Sequence, residues 1–329
     1  MSARVDVSDP IEAGRDGRRA RRTTPETVAT VVLAVLTVVC IFASRLISPA
    51  LGSWNQAETV LILGTFLLPV ALGQGLVILS GGLDLSVSAN FMFGGVMTTS
   101  LLSGAHADQW QFLVLIVLMA GVIGCLNGIG IAAFRIPAFM MTMSIGIIVA
   151  SVALGYTNAS PVGDAPALVV SIVKGRTAGV QNIVLIFALV CLIGIALQSR
   201  SVFGRHLYAI GGSAQAARVA GVPVAGTLIG VYACSAMLAA ISGILLCGYS
   251  GGATLTMGDP YLLPSIAAVV VGGSSILGGR GNFVGTIVGI CFLGTIDSLI
   301  GATGLEQGWR LVISGGVIAL ALLAQPSSR

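Results

Sequence analysis

Two carboxylates in this chain sit where carboxylates are costly. Asp84 lies in LSGGLDLSVSAN and Asp297 in GTIDSLIG, each within or at the edge of an apolar run. An ionisable side chain at such a position points to function by default, as a pathway contact, a proton relay or a cap. A relay needs a chain of titratable partners, and neither acid has one near it in sequence. Asp84 falls where the helical pattern breaks, so it suits a cap at a helix start or a contact with a passing solute. The only histidines, His106 and His206, fall in predicted loops on opposite sides of the apolar segments. No HExxH, GxSxG or carboxylate pair occurs, so no catalytic constellation is predicted. The six cysteines all lie in apolar runs without a CxxC pair. They read as small reduced hydrophobes rather than disulfides or metal ligands.

Two motifs imitate nucleotide chemistry. Leu79–Gly82 (LSGG) resembles the signature of an ABC ATPase, and Gly278–Gly285 (GGRGNFVG) nearly matches GxGxxG, with Val284 where the last Gly belongs. The chain has no GxxxxGK[ST] loop, and its one lysine, Lys174, sits in IVKGRT. Nothing would cradle phosphates, so no nucleotide cofactor and no ATP hydrolysis are predicted for this chain.

The elements that position these residues follow from composition. Hydrophobic residues make up 56% of the chain and charged residues 9%. A soluble domain carries about 25% charged residues. Apolar runs of about 20 residues recur along the whole length, which predicts an all-α, polytopic transmembrane bundle. Ten segments are predicted, near 27–47, 59–80, 85–103, 111–134, 137–157, 182–199, 225–250, 264–278, 283–300 and 309–325. The third, eighth and ninth are rich in Gly and Ser and are expected to bend or re-enter. Residues 1–26 form a basic tail, and 27–325 form one transmembrane domain with a polar loop at 199–224.

The positive-inside rule orients this drawing. With both termini in the cytoplasm, the inner side holds the six arginines of the tail, Arg135, Arg200, Arg205, Arg218, Arg280 and Arg329. The outer side holds Arg45, Lys174, Arg176 and Arg310. This distribution accounts for the net charge of +4 without a nucleic-acid partner. The longest outer segment, 158–181, is mixed in character and suits the membrane surface.

The polar loop has its own local logic. Gly211, Gly212 and Ser213 form a turn, and Ser213 is a good N-cap. AQAARVA (Ala214–Ala220) favours helix, Gly221 suits the position after its end, and Pro223 stops it. The result is a helix of about two turns presented to the cytoplasm. A basic loop that only fixes topology is the plainer account of the same residues.

The stretch GRHLYAIGGSAQAARVAGV resembles the cytoplasmic coupling loop of ABC importer permeases of the ribose type. LSGGLDLSVSANFMFGG (79–95) and IAAVVVGGSSILGGRGNFVGTIVG (266–289) resemble two further segments of that family. In the coupling segment Gln215 replaces the usual Glu, Leu83 replaces an Ile in the second stretch, and Ser88 replaces a Gly. The resemblance implies a multi-pass permease subunit of the bacterial cytoplasmic membrane that translocates a monosaccharide or polyol by alternating access. It implies ABC ATPase subunits, a secreted sugar-binding protein and a second permease subunit, identical or related, as partners in the bilayer. Gln215, Ala216, Ala217, Arg218 and Gly221 are then the expected ATPase contacts. Asp84, Ser86, Ser88, Asn90 and Asn127 are the expected pathway candidates. An amino-acid permease of related fold and a stand-alone secondary transporter are the alternatives. Glycines at four-residue spacing (Gly124 and Gly128; Gly281, Gly285 and Gly289) are expected to let helices approach closely, within one subunit or between two.

Overall fold

The computed structural model of the chain describes residues 25–46, 52–102, 109–160 and 162–302, with positions 309, 312, 315 and 316. Positions 1–24 of the basic tail, His106 and most of the expected tenth segment lie outside these residues.

The architecture is mostly helical. The first two helices among the described residues are α1 (Pro25–Ala43) and α2 (Trp54–Leu79). The short α3 (Val87–Leu101) is followed by α4 (Gln111–Ala132) and α5 (Ala138–Tyr156). A strand, β1 (Val162–Asp164), precedes α6 (Ala167–Lys174). The strands β2 (Arg176–Thr177) and β3 (Val180–Gln181) form a small antiparallel hairpin that leads into α7 (Asn182–Ser199). Two short helices, α8 (Val202–Gly212) and α9 (Ala214–Val219), separate α7 from the long α10 (Val224–Ser250). Then come β4 (Gly252–Ala253), α11 (Asp259–Val271) and α12 (Phe283–Ala302).

Among the described residues, six helices are long and apolar enough to cross a membrane: α2, α4, α5, α7, α10 and α12. The chain is thus a polytopic helical membrane protein. The 15 residues of α3 and the 13 of α11 reach only about 22 Å and 20 Å at 1.5 Å per residue. A hydrocarbon core of about 30 Å is too thick for either alone. The expected eighth segment is placed earlier than its pattern suggested. Gly273, Gly278, Gly279 and Gly281 all take positive φ, so the 272–282 stretch is a loop and the helix ends at Val271. The ninth segment, expected to bend, is the continuous helix α12.

Two helices form the centre. Every side chain of α2 from Gly64 to Gln74 is buried, and α2 meets α7, α10, α11 and α12. On its other sides α10 packs along α3 and α4. Close packing rests on absent side chains. A Cβ on Gly124 would stand 2.2 Å from the Tyr232 carbonyl oxygen, and one on Gly128 2.4 Å from the Ile229 Cα. Gly285 and Gly289 meet α11 in the same way, at the Gly272 and Ala268 carbonyls. These expected small-residue contacts are therefore made inside the one chain. The outer faces of α4, α5 and α7 expose Val122, Ile147 and Leu192 among many large apolar side chains, as lipid-facing surfaces do.

The bundle has two structured ends. At one, β1 pairs antiparallel with β4, and Lys174 lies 5.8 Å from the ring centre of Tyr249. This end contains the 158–181 segment. At the other end, separated from the first by the lengths of α7 and α10, lie α8, α9 and the α11–α12 loop.

Candidate functional site

Two polar regions emerge, and they are built in opposite ways. The first is α9. Ser213 caps it as expected: its Oγ accepts the Ala216 N–H at 3.2 Å. The C-terminus closes as a Schellman motif. Gly221 takes φ +82°, the Gly221 N–H donates to Arg218 O at 3.1 Å, and the Val222 N–H donates to Ala217 O at 3.0 Å. A left-handed backbone of this kind is natural for Gly and strained for most other residues. Val222 adds the apolar contact that accompanies such an ending, packing against Ile210, Ala217 and Val224.

This geometry sorts the five expected contact residues. Gln215, Ala216, Arg218 and Gly221 are exposed, whereas Ala217 is only 3% exposed. Ala217 faces its own subunit and seats α9 on α8 and the start of α10. Sequence reasoning missed Val219, which is 87% exposed. An apolar side chain so open, beside Arg218 and outside the membrane-spanning helices, is what a docking surface offers a partner. Its signal was present as the one large apolar residue in AQAARVA.

The second region surrounds Asp84, which is fully buried in the link between α2 and α3. Asp84 Oδ1 accepts the Ser86 N–H at 2.9 Å and the Ser86 Oγ–H at 2.6 Å. Asp84 Oδ2 accepts the Ser235 hydroxyl at 2.8 Å from α10. Ser86 Oγ in turn accepts from Asn90 Nδ2 at 3.2 Å and Asn127 Nδ2 at 2.9 Å. That hydroxyl thereby uses its one donor and both acceptor positions. The neighbouring Leu85 N–H donates to Thr142 Oγ1 of α5 at 3.0 Å. One short link is thus tied to α3, α4, α5 and α10 at a depth where an unpaired polar group costs several kcal/mol.

Asp84, Ser86, Asn90 and Asn127 therefore come together, all fully buried. Ser88 stands apart from their hydrogen bonds and is only partly buried. The amide oxygens of Asn90 and Asn127, and both amide atoms of Gln74 on α2, have no partner among the described residues. Ser235, Thr142 and Gln74 were not singled out from sequence, because single Ser, Thr and Gln residues in apolar helices carry no pattern. Asp297 is exposed on α12 and joins neither region.

Residues 56–322 match the family described as the branched-chain amino acid transport system / permease component. The chain belongs to this family of permease components; it is not itself an enzyme. It is 33% identical over 286 residues to a probable ABC transporter permease protein of Sinorhizobium fredii, covering 85% of this chain and 84% of that one. It is 32% identical over 258 residues to the ribose import permease protein of Escherichia coli K12, covering 77% and 80%. It is 32% identical over 271 residues to the galactose/methyl galactoside import permease protein of Salmonella typhimurium, covering 77% and 81%. No solved structure matches the chain significantly.

Proposed function

We propose that this chain is the membrane permease subunit of an ATP-driven bacterial importer, and that its solute is a monosaccharide or related polyol. The observation that carries the reading is α9. It is a short, capped, exposed helix outside the membrane-spanning elements, seated on the bundle by Ala217 and offering Gln215, Arg218 and Val219 outward. Such a helix is a knob made for a groove in a partner. The partner is an ABC ATPase subunit on the cytoplasmic face, since this chain lacks any phosphate loop of its own.

The remaining parts follow. The chain crosses the cytoplasmic membrane with both termini inside, in ten segments, of which α3 and α11 are the short ones. Two permease subunits, identical or related, enclose the pathway, and a secreted binding protein delivers solute at the end that carries β1 and β4. Ser88 contacts the solute, while Asp84, Ser86, Asn90 and Asn127 hold the helices around it. Sugar is favoured over amino acid because relatives at 32% identity are named for ribose and galactose import. The family description keeps amino acids as the second reading.

Uptake into proteoliposomes tests this directly. The chain is reconstituted with an ABC ATPase and a sugar-binding protein from the same organism, and labelled ribose, galactose and leucine are offered. ATP-dependent uptake of a sugar but not leucine supports the reading. Uptake of leucine alone would overturn the solute class, and uptake that needs an ion gradient rather than ATP would overturn the importer.

A further inference from the structure

Three glycine-bearing segments far apart in sequence meet at one point behind α9. They are the end of α2 with its LSGG, the end of α8 at Gly211–Gly212, and the α11–α12 loop with its GGRG. The Gly279 N–H donates to Leu79 O at 3.0 Å. A Cβ on Gly211 would stand 1.9 Å from Leu79 O and 2.4 Å from Gly279 N. One on Gly278 would stand 2.9 Å from Gly81 Cα, and one on Gly279 2.9 Å from Gly212 N. The two motifs that imitate nucleotide chemistry are thus the two sides of a backbone-to-backbone junction. A side-chain clamp fixes it further: the Tyr208 hydroxyl of α8 donates to Gly281 O at 2.5 Å. Gln198 Nε2 donates to that same hydroxyl at 3.0 Å.

The position of this junction gives it a consequence. Gly212 directly precedes Ser213, the cap of α9. On the far side, Gly81 lies three residues from Asp84, whose hydrogen bonds tie the α2–α3 link to α10 and, through Ser86, to α4. Packed backbones have no rotamers with which to absorb a displacement, and close-packed interiors transmit strain. Chains of packed contacts and rigid elements carry coupling between distant sites.

We propose that Tyr208, Gly211 and Gly279 are positioning residues for transport: they make α8, the α11–α12 loop and the α2–α3 link move as one body with α9. The inference rests on the proposal that α9 meets an ATPase. An ATP-driven shift of α9 then reaches Leu277, at the exposed tip of the α11–α12 loop (78% exposed), without any solute present.

The test uses the full chain with its ATPase in lipid nanodiscs. Leu277→Cys carries a water-soluble maleimide dye, and the unsubstituted chain serves as labelling blank. The readouts are ATPase copurification, basal ATP hydrolysis and the dye's response to ATP with vanadate. Tyr208→Phe is expected to keep the first two and to lower the dye response about threefold; Gly211→Ala is expected to lower it further. A variant that is merely structural would lose assembly or hydrolysis as well. If Gly211→Ala fails to assemble, Tyr208→Phe decides alone. No dye response in the assembled unsubstituted-junction complex, or an undiminished one in Tyr208→Phe, overturns the junction. Failure of that complex to form overturns instead the ATPase reading on which the junction rests.

Discussion

The α9 region and the Asp84 region both gather polar residues, and they are built in opposite ways. In α9, five of the six residues are exposed and only Ala217 is buried. Around Asp84, four polar side chains are fully buried and bonded to one another. The difference teaches what each set is for. Water satisfies the polar groups of α9, so its residues are free to be chosen for a partner. A polar group buried away from water needs a partner in the protein, and the Asp84 carboxylate, the Ser86 and Ser235 hydroxyls and the amide nitrogens of Asn90 and Asn127 supply one another's.

That contrast can be broken most severely at Asp84. Replacing Asp84 with Ala leaves the Ser86 N–H and the Ser235 hydroxyl without their acceptor. The expected loss is about 3 kcal/mol, seen as a marked drop in folded protein in detergent thermal-stability assays. Asp84→Asn keeps an acceptor for Ser86 and offers Ser235 a donor, so most of the stability should persist. Equal damage from Asn and Ala would show that the charge matters and that the region is more than a packing node.

A smaller effect is expected at the end of α9. Gly221→Val forces a β-branched residue to φ +82°, at a cost of roughly 1–2 kcal/mol. Gly221 is exposed and has no heavy atom within 4 Å of a Cβ. The strain should therefore fray α9 locally, read as faster amide exchange at positions 221 and 222, while thermal stability of the bundle hardly moves. A fall in global stability as large as that of Asp84→Ala would erase the distinction between the two regions.

The smallest effect is expected for Ser235→Ala. It removes one interhelical hydrogen bond, and such bonds in membrane proteins average about 0.6 kcal/mol. A thermal shift of only a few degrees would sharpen the view that the load is shared among Ser86, Asn90 and Asn127. A collapse would place it on α10 alone.

Much of α9 was legible in the sequence because its signals are local. Ser213 as cap, Ala-rich helix, Gly221 and then Pro223 lie within eleven residues, and the helix runs within a residue of its expected bounds. The Asp84 region was half legible. The acid and its neighbours Ser86 and Asn90 stand out in an apolar run, but Ser235 lies 151 residues away and only tertiary packing joins them. The same holds for the glycine junction. LSGG and GGRG were each visible, but their meeting depends on where α8 ends. The inward turn of Ala217 was hidden because its pattern of small residues is the same on every face of so short a helix.

Transport as proposed requires that α9 meet an ATPase. The direct measurement is copurification of the chain with an ABC ATPase from the same organism, comparing wild type with Val219→Glu. Val219 is exposed and makes no part of the buried clusters, so the substitution should leave insertion and thermal stability unchanged. With α9 as the docking site, wild type is expected to carry the ATPase through purification and Val219→Glu to lose it by tenfold or more, about 1.4 kcal/mol in binding. An ATPase that binds the variant as well as the wild type would contradict that role.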